Sequence, residues 1–175
     1  MIIVAVSSPI LGAIADRSAT KKGFLITYMV AGVCSTAMLA TVGPGEWMAG
    51  AIWFIIADIA FAGGNVFYNA FLRELASPDE TGKVSGWGWG IGYLGGGLLL
   101  IINLIMLQAP EMIGLPDDLF TVQHTFLSVS VWWGLFSIPL IVNLRERATP
   151  VTAVESAIKG AFSRVSNTFR KIRQY

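Results

Sequence analysis

One carboxylate in this sequence stands far from any other charge. Asp58 is flanked by apolar runs on both sides, Ala49 to Ala57 and Ile59 to Ala62. If those runs lie in lipid, an ionised group there costs at least ~2.5–3.5 kcal/mol on insertion scales, so it turns toward a cavity or a partner. At about 100° per residue, Asp58, Asn65 and Asn69 fall within roughly a 40° arc of one helix face, and Tyr68 lies beside them. Two amides, a phenol and a carboxyl on one stripe could contact a small polar solute, with Asp58 as a candidate proton carrier. The plainer alternative is that they bond to neighbouring helices.

Other chemistry is not signalled. His124 stands alone beside the segment that follows it and reads as a capping or interfacial residue. The single cysteine, Cys34, sits in an apolar run and reads as a small packing residue rather than a reactive thiol. Neither a Cys/His cluster nor a Ser-His-Asp set suggests itself, so no metal, cofactor or catalysis is expected. Gly90-x-Gly92-x-x-Gly95 fits a dinucleotide-binding pattern, but that pattern needs a preceding strand and a βαβ unit. Here it is embedded in an apolar stretch after Trp87 and Trp89.

The elements that must carry the polar stripe follow from composition. Of 175 residues, 54% are hydrophobic and 13% charged, against about 25% charged in soluble domains. Crossing a ~30 Å hydrocarbon core takes about 20 helical residues. Gly23–Val42, Met48–Leu72, Ser85–Leu107 and His124–Leu144 reach that length. A fifth segment, Met1–Ala15, gives only ~22 Å of helix and reads as a span short of its outer turns. It has no basic region that would make it a cleavable leader. The fold expected is all-α, a polytopic transmembrane bundle.

Charge supports the same count. The twelve Lys and Arg residues fall at Asp16–Lys22, at Arg73–Lys83 and after Leu144. The two remaining loops hold Glu46, Glu111, Asp117 and Asp118 but no basic residue. Five crossings place the two groups on opposite sides, and the positive-inside rule assigns the basic side to the cytoplasm. Trp47 would mark one lipid boundary, Trp87 and Trp89 the other.

Four stretches resemble a known family. Gly12-Ala-Ile-Ala-Asp16-Arg17, followed by Lys21-Lys22, resembles the loop signature of the major facilitator superfamily. Gly64-Asn65-Val66-Phe67-Tyr68-Asn69-Ala70-Phe71-Leu72, Gly82-Lys83-Val84-Ser85-Gly86 and Gly92-Tyr93-Leu94-Gly95-Gly96-Gly97 resemble its vacuole-effluxer branch. Arg73 stands where that branch has a proline. The resemblance implies secondary active transport of small polar solutes such as amino acids, with the Asp58 helix lining the cavity. It implies that Gly12, Asp16, Arg17, Lys21, Lys22 and Arg73 form a cytoplasmic gating loop, Asp16 pairing with Arg73; the plainer alternative is that these basic residues only hold the loop on the cytoplasmic side. It also implies twelve spans in two halves, of which this chain would cover spans two to six and need the missing half as partner.

Gly88, Gly92, Gly95 and Gly96 share one face, the spacing of close helix packing. The same run resembles the superfamily's antiporter motif, but Tyr93 replaces its proline and antiport is not inferred. Residues 1–144 read as the transmembrane region and 145–175 as a basic amphipathic helix. Thr152-x-x-Glu155 resembles a capping box, and a helix of this composition suits anionic lipid better than calmodulin or nucleic acid. The alternative to a transporter is a non-transporting membrane protein, or a truncated gene product with a structural role. If the topology is right, cysteines placed at Lys21 and Lys83 should react with an impermeant reagent from one face of the bilayer, and cysteines at Glu46 and Glu111 from the other. Opposite-face labelling of Lys21 and Lys83 would refute it.

Overall fold

The computed structural model describes residues 11–12, 21–77, 79–114, 116 and 119–144, with the side chains of 73–75 and 113 left aside. Within them the chain forms α1 (Lys21–Met38), α2 (Trp47–Leu75), α3 (Thr81–Gln108) and α4 (Val122–Asn143). Short 3-10 turns lie at Leu39–Thr41 and Pro110–Ile113. No strand occurs among the described residues. All four long helices have the length and apolarity to cross a membrane, as the hydrophobic runs predict. Of the opening segment, Leu11 and Gly12 are helical. The remainder of Met1–Ala15, the loop residues Asp16 and Arg17, and the tail 145–175 lie outside the described residues.

All four helices begin one to four residues ahead of the apolar runs, whereas α1 ends at Met38 and passes into a 3-10 turn before Val42. Ser85 is the expected start of α3, yet the helix begins at Thr81. Thr81 Oγ1 donates to the Ser77 carbonyl at 2.8 Å, and Ser77 Oγ donates to Glu80 Oε2 at 2.8 Å. Between α1 and α2, Gly45 takes a φ of +86°, a conformation that suits glycine. The Gly43 N–H donates to Glu46 Oε2 at 2.8 Å across that turn. At the start of α4 the Thr121 N–H donates to His124 Nδ1 at 3.1 Å, and Phe120 stacks on the imidazole with ring centroids 5.3 Å apart. His124 is the capping residue its position suggests.

α1 is the hub, packing on α2 along one side and on α4 along another. Its contact with α2 is aromatic. Phe67 is 0% exposed and stacks on Phe24 at 5.2 Å and on Tyr28 at 5.8 Å. One turn before Phe67, Gly63 leaves room for the Tyr28 ring, since a Cβ there would lie 2.5 Å from it. Against α4, Gly32 accepts the Trp133 ring in the same way. Ser130 Oγ donates to the Val33 carbonyl at 3.0 Å beside it. Cys34 faces outward and is exposed, contrary to a packing role, because the neighbouring Gly32 and Val33 carry the α1–α4 contact.

α3 is held more loosely. It meets α4 through Ser128 Oγ, which donates to Asn103 Oδ1 at 2.9 Å. It meets α2 where Gly88 lies under the Tyr68 hydroxyl. The basic ends of the helices converge: Leu25, Phe71, Leu72, Val84 and Leu144 surround one pocket, as the charge pattern requires. Gly63→Leu is expected to destabilise the chain by about 1–3 kcal/mol through overpacking. Gly90→Leu, where a Cβ meets nothing within 4 Å among the described residues, should leave thermal stability in detergent near wild type.

Candidate functional site

Two clefts share α2 as a wall. The first lies between α1, α2 and α4 and has about 520 Å³ of space, part of it open to solvent, with Leu25, Asn65, Tyr68, Trp133, Ser137 and Leu140 among its lining. The second lies between α2 and α3 and has about 790 Å³ of open space, lined by Phe61, Asn65, Tyr68, Gly88, Trp89, Gly92 and Tyr93. Asn65 and Tyr68 border both. Being three apart on a helix, they sit on neighbouring parts of one surface.

Each position has a local cause. The buried ring of Phe67 anchors this turn of α2 against α1, which leaves Asn65 and Tyr68 on either side of it. Across the first cleft the Phe61 ring meets Trp133 edge-on, with centroids 6.0 Å apart and planes at 76°. Across the second, a Cβ at Gly88 would lie 3.1 Å from the Tyr68 hydroxyl. Trp89 and Tyr93, one turn apart on α3, have ring centroids 6.0 Å apart. Both clefts are apolar and aromatic, with an amide and a phenol as the shared polar groups. No charged side chain borders either one among the described residues.

The stripe read from the sequence is therefore divided. Asn65 and Tyr68 come together at the clefts. Asp58 is half-buried and lines neither, and Asn69 is exposed. Of the four α3 glycines, Gly88 meets Tyr68, and Gly95 has Trp132 Nε1 3.9 Å from an added Cβ. Gly92 and Gly96 have nothing within 4 Å among the described residues. The closest helix approaches use Gly32 and Gly63 instead. Gly63 pairs with Gly64 in an otherwise bulky apolar run, and that pair was the available signal.

Of the loop residues, Gly12 has nothing within 4 Å of an added Cβ among the described residues. Lys21 is 6% exposed, and Lys22 Nζ donates to the Leu144 carbonyl at 2.9 Å. An Asp16–Arg73 pair lies outside the described residues and side chains. Trp89, Tyr93 and Ser137 are cleft residues that helical periodicity on α2 alone could not point to.

The description "Vacuole effluxer Atg22 like" belongs to a family model that matches residues 1–83 and 76–175. The chain belongs to the vacuole effluxer Atg22-like family. Its relatives there include an uncharacterised MFS-type transporter, YxiO, of Bacillus subtilis strain 168, 34% identical over 174 residues. That match covers 99% of this chain and 40% of the relative. Autophagy-related protein 22 of Yarrowia lipolytica is 22% identical over 81% of this chain and 33% of its own length. The Eremothecium gossypii protein of that name is 26% identical over 74% of this chain and 28% of its own. The chain thus spans well under half the length of these relatives. No solved structure matches it. Membership in the Atg22-like family, together with four apolar helices of spanning length, makes this a multi-pass integral membrane protein of major facilitator type.

Both clefts lie between helices long and apolar enough to cross a membrane.

Proposed function

We propose that this chain forms part of a secondary active transporter that moves small polar solutes, amino acids among them, across a membrane. The observation that carries the reading is the placing of Asn65 and Tyr68 on the wall shared by two apolar clefts. Polar groups in a low-dielectric cleft are worth most to a ligand that satisfies them, and an amide and a phenol together offer both donors and acceptors. The relatives, one of them an MFS-type transporter, support transport without indicating a solute.

Around this core stand further parts of the proposal. Asp58 and Asn69 complete the solute stripe in the longer protein, where more helices cover α2 and α3. Asp58 carries a proton that couples to transport. The other half of the transporter is the partner, the basic loops face the cytoplasm, and residues 145–175 form a basic helix on the membrane surface that links the halves. In a bacterial cell the membrane is the inner one.

The test uses the full-length Bacillus subtilis relative. Alanine at the position aligned with Asn65, or phenylalanine at that aligned with Tyr68, should lower solute flux about ten-fold, the effect of losing one good hydrogen bond. Protein levels in the membrane should not change. Unaltered flux in both variants overturns the site. Asparagine at the position aligned with Asp58 should flatten the pH dependence of flux, and an unchanged pH profile would remove proton coupling.

A further inference from the structure

The face of α3 turned away from α2 and α4 carries a groove of its own. Gly88 and Gly95 mark the side of the helix that meets Tyr68 and Trp132. Lys83, Gly86, Trp87, Gly90, Ile91 and Leu94 line about 840 Å³ of open space elsewhere on it. At about 100° per residue these six fall within an arc of roughly 140° that excludes Gly88 and Gly95.

Two glycines make it a groove. An added Cβ at Gly86 or Gly90 would meet nothing within 4 Å among the described residues, so bare backbone forms its floor. Trp87, Ile91 and Leu94 rise beside that floor and are exposed. Apolar side chains of this size suit hydrocarbon and not water. From Gly86 to Leu94 the groove runs about 12 Å along the axis, most of one leaflet's share of a ~30 Å hydrocarbon core.

Charge stands at one end of this groove. Lys83 lies in the first turn of α3, two residues before the apolar run that opens at Ser85. Asp79 precedes it by four residues. The turn between them is already helical in its bonding, with the Thr81 N–H donating to the Ser77 carbonyl at 2.9 Å and the Val84 N–H to the Glu80 carbonyl at 2.9 Å. Residues four apart on such a turn share a face. Asp79 and Lys83 are both exposed, and no ion pair joins them. Glu80 is engaged elsewhere, accepting from Ser77 Oγ and bordering a different pocket. An ammonium and a carboxylate, side by side and not bonded to each other, therefore sit where an apolar groove meets water.

The geometry points to a phospholipid site for a headgroup that carries a primary ammonium beside its phosphate, as phosphatidylethanolamine does. Lys83 donates to the phosphate, and Asp79 accepts from the ammonium. Trp87, one turn from Lys83, lies at the depth of the ester groups, where its indole N–H can donate. One acyl chain lies over Gly86 and Gly90. A trimethylated headgroup has no N–H to give Asp79, and an anionic glycerol headgroup brings that carboxylate no cation. Neither Asn65 nor Tyr68 takes part, so the site stands apart from the solute clefts and does not depend on their reading.

Lipid retention tests it. The 175-residue chain is purified in mild detergent with equal amounts of phosphatidylethanolamine, phosphatidylcholine and phosphatidylglycerol of the same acyl chains. It is released intact into a mass spectrometer and its bound lipid identified. Retained phosphatidylethanolamine should exceed each of the others about five-fold, the preference that one exposed charge pair supports. Lys83→Met should lower retention of all three lipids. Asp79→Asn should bring phosphatidylethanolamine down to the level of phosphatidylcholine and leave the latter unchanged. Gly90→Leu fills the groove and should remove retained lipid of every class at an unchanged melting temperature.

Equal retention of the three lipids by the parent chain overturns headgroup recognition. Lipid held as well by Gly90→Leu as by the parent chain overturns the groove. Lys83 and Asp79 are exposed, so their variants decide the matter even where Gly90→Leu lowers stability. The full-length Bacillus subtilis relative, put through the same competition, should show the same preference, and leucine at the position aligned with Gly90 should remove it. A preference confined to the 175-residue chain would mean that further helices cover this face, and would overturn the site.

Discussion

A peptide group surrounded by hydrocarbon has no water to bond, so a chain in lipid must satisfy its backbone internally. Nearly everything in this fold is arranged around that requirement. The helices are long, and where their ends leave the ladder, polar side chains take over. Glu46 bonds the Gly43 N–H, Ser77 and Glu80 lead into α3, and His124 accepts from Thr121. Hydroxyls inside the spans return their protons to their own helix, Thr27 to Gly23 and Ser137 to Trp133. Large apolar residues such as Phe54, Ile91, Leu94 and Val131 are meanwhile exposed, the reverse of a soluble protein and the arrangement lipid favours.

Lipid also removes the usual force that brings helices together, since tails are as apolar as leucine. Association has to come from close packing and from a few polar bonds. The α1–α2 contact is a socket, with Phe67 between Phe24 and Tyr28 and the Gly63 backbone under the Tyr28 ring. The α1–α4 contact repeats the device with Gly32 and Trp133, reinforced by the Ser130 bond to Val33. α3 lacks such a socket. It touches its neighbours at Gly88, Gly95 and Asn103, and most of its surface stays uncovered. Two well-interlocked contacts and one loose helix explain why the wider cleft opens on the α3 side.

Spans and their alternation were legible in the residues because both depend on bulk properties, apolar length and the side on which lysines and arginines fall. Helix ends were less so. Hydrophobicity finds where the lipid-facing run begins, and the polar first turn of α3 from Thr81 lies ahead of it. Asn65 and Tyr68 could be picked out because polar groups in a span are few. Their separation from Asp58 and Asn69 could not, since helical periodicity assigns a face and not the neighbour that covers it. The glycine run of α3 misled for a related reason. Regular spacing in α3 advertised a packing face, yet the tightest approaches occur at Gly32 and Gly63, where an aromatic ring on another helix demands space. That demand lies in Trp133 and Tyr28, far away in sequence.

The division of α2 bears on how charge and solute could be linked. Asp58 precedes Asn65 by seven residues, about 10 Å along the helix axis, and it lies nearer the acidic-loop end. A solute held at Asn65 and Tyr68 would have to extend along the α2 face to meet the Asp58 carboxyl. The two clefts themselves carry no charged side chain among the described residues, which avoids the large desolvation cost of ionised groups in an apolar setting. A proton on Asp58 would also act through the position of α2, the helix that forms a wall of both clefts. The aromatic socket around Phe67 fixes that wall against α1, so movement of α2 carries α1 with it. α3, on the far side of α2, has no such socket and meets it where Gly88 lies under the Tyr68 hydroxyl. Movement of α2 would therefore change the wider cleft, between α2 and α3, first.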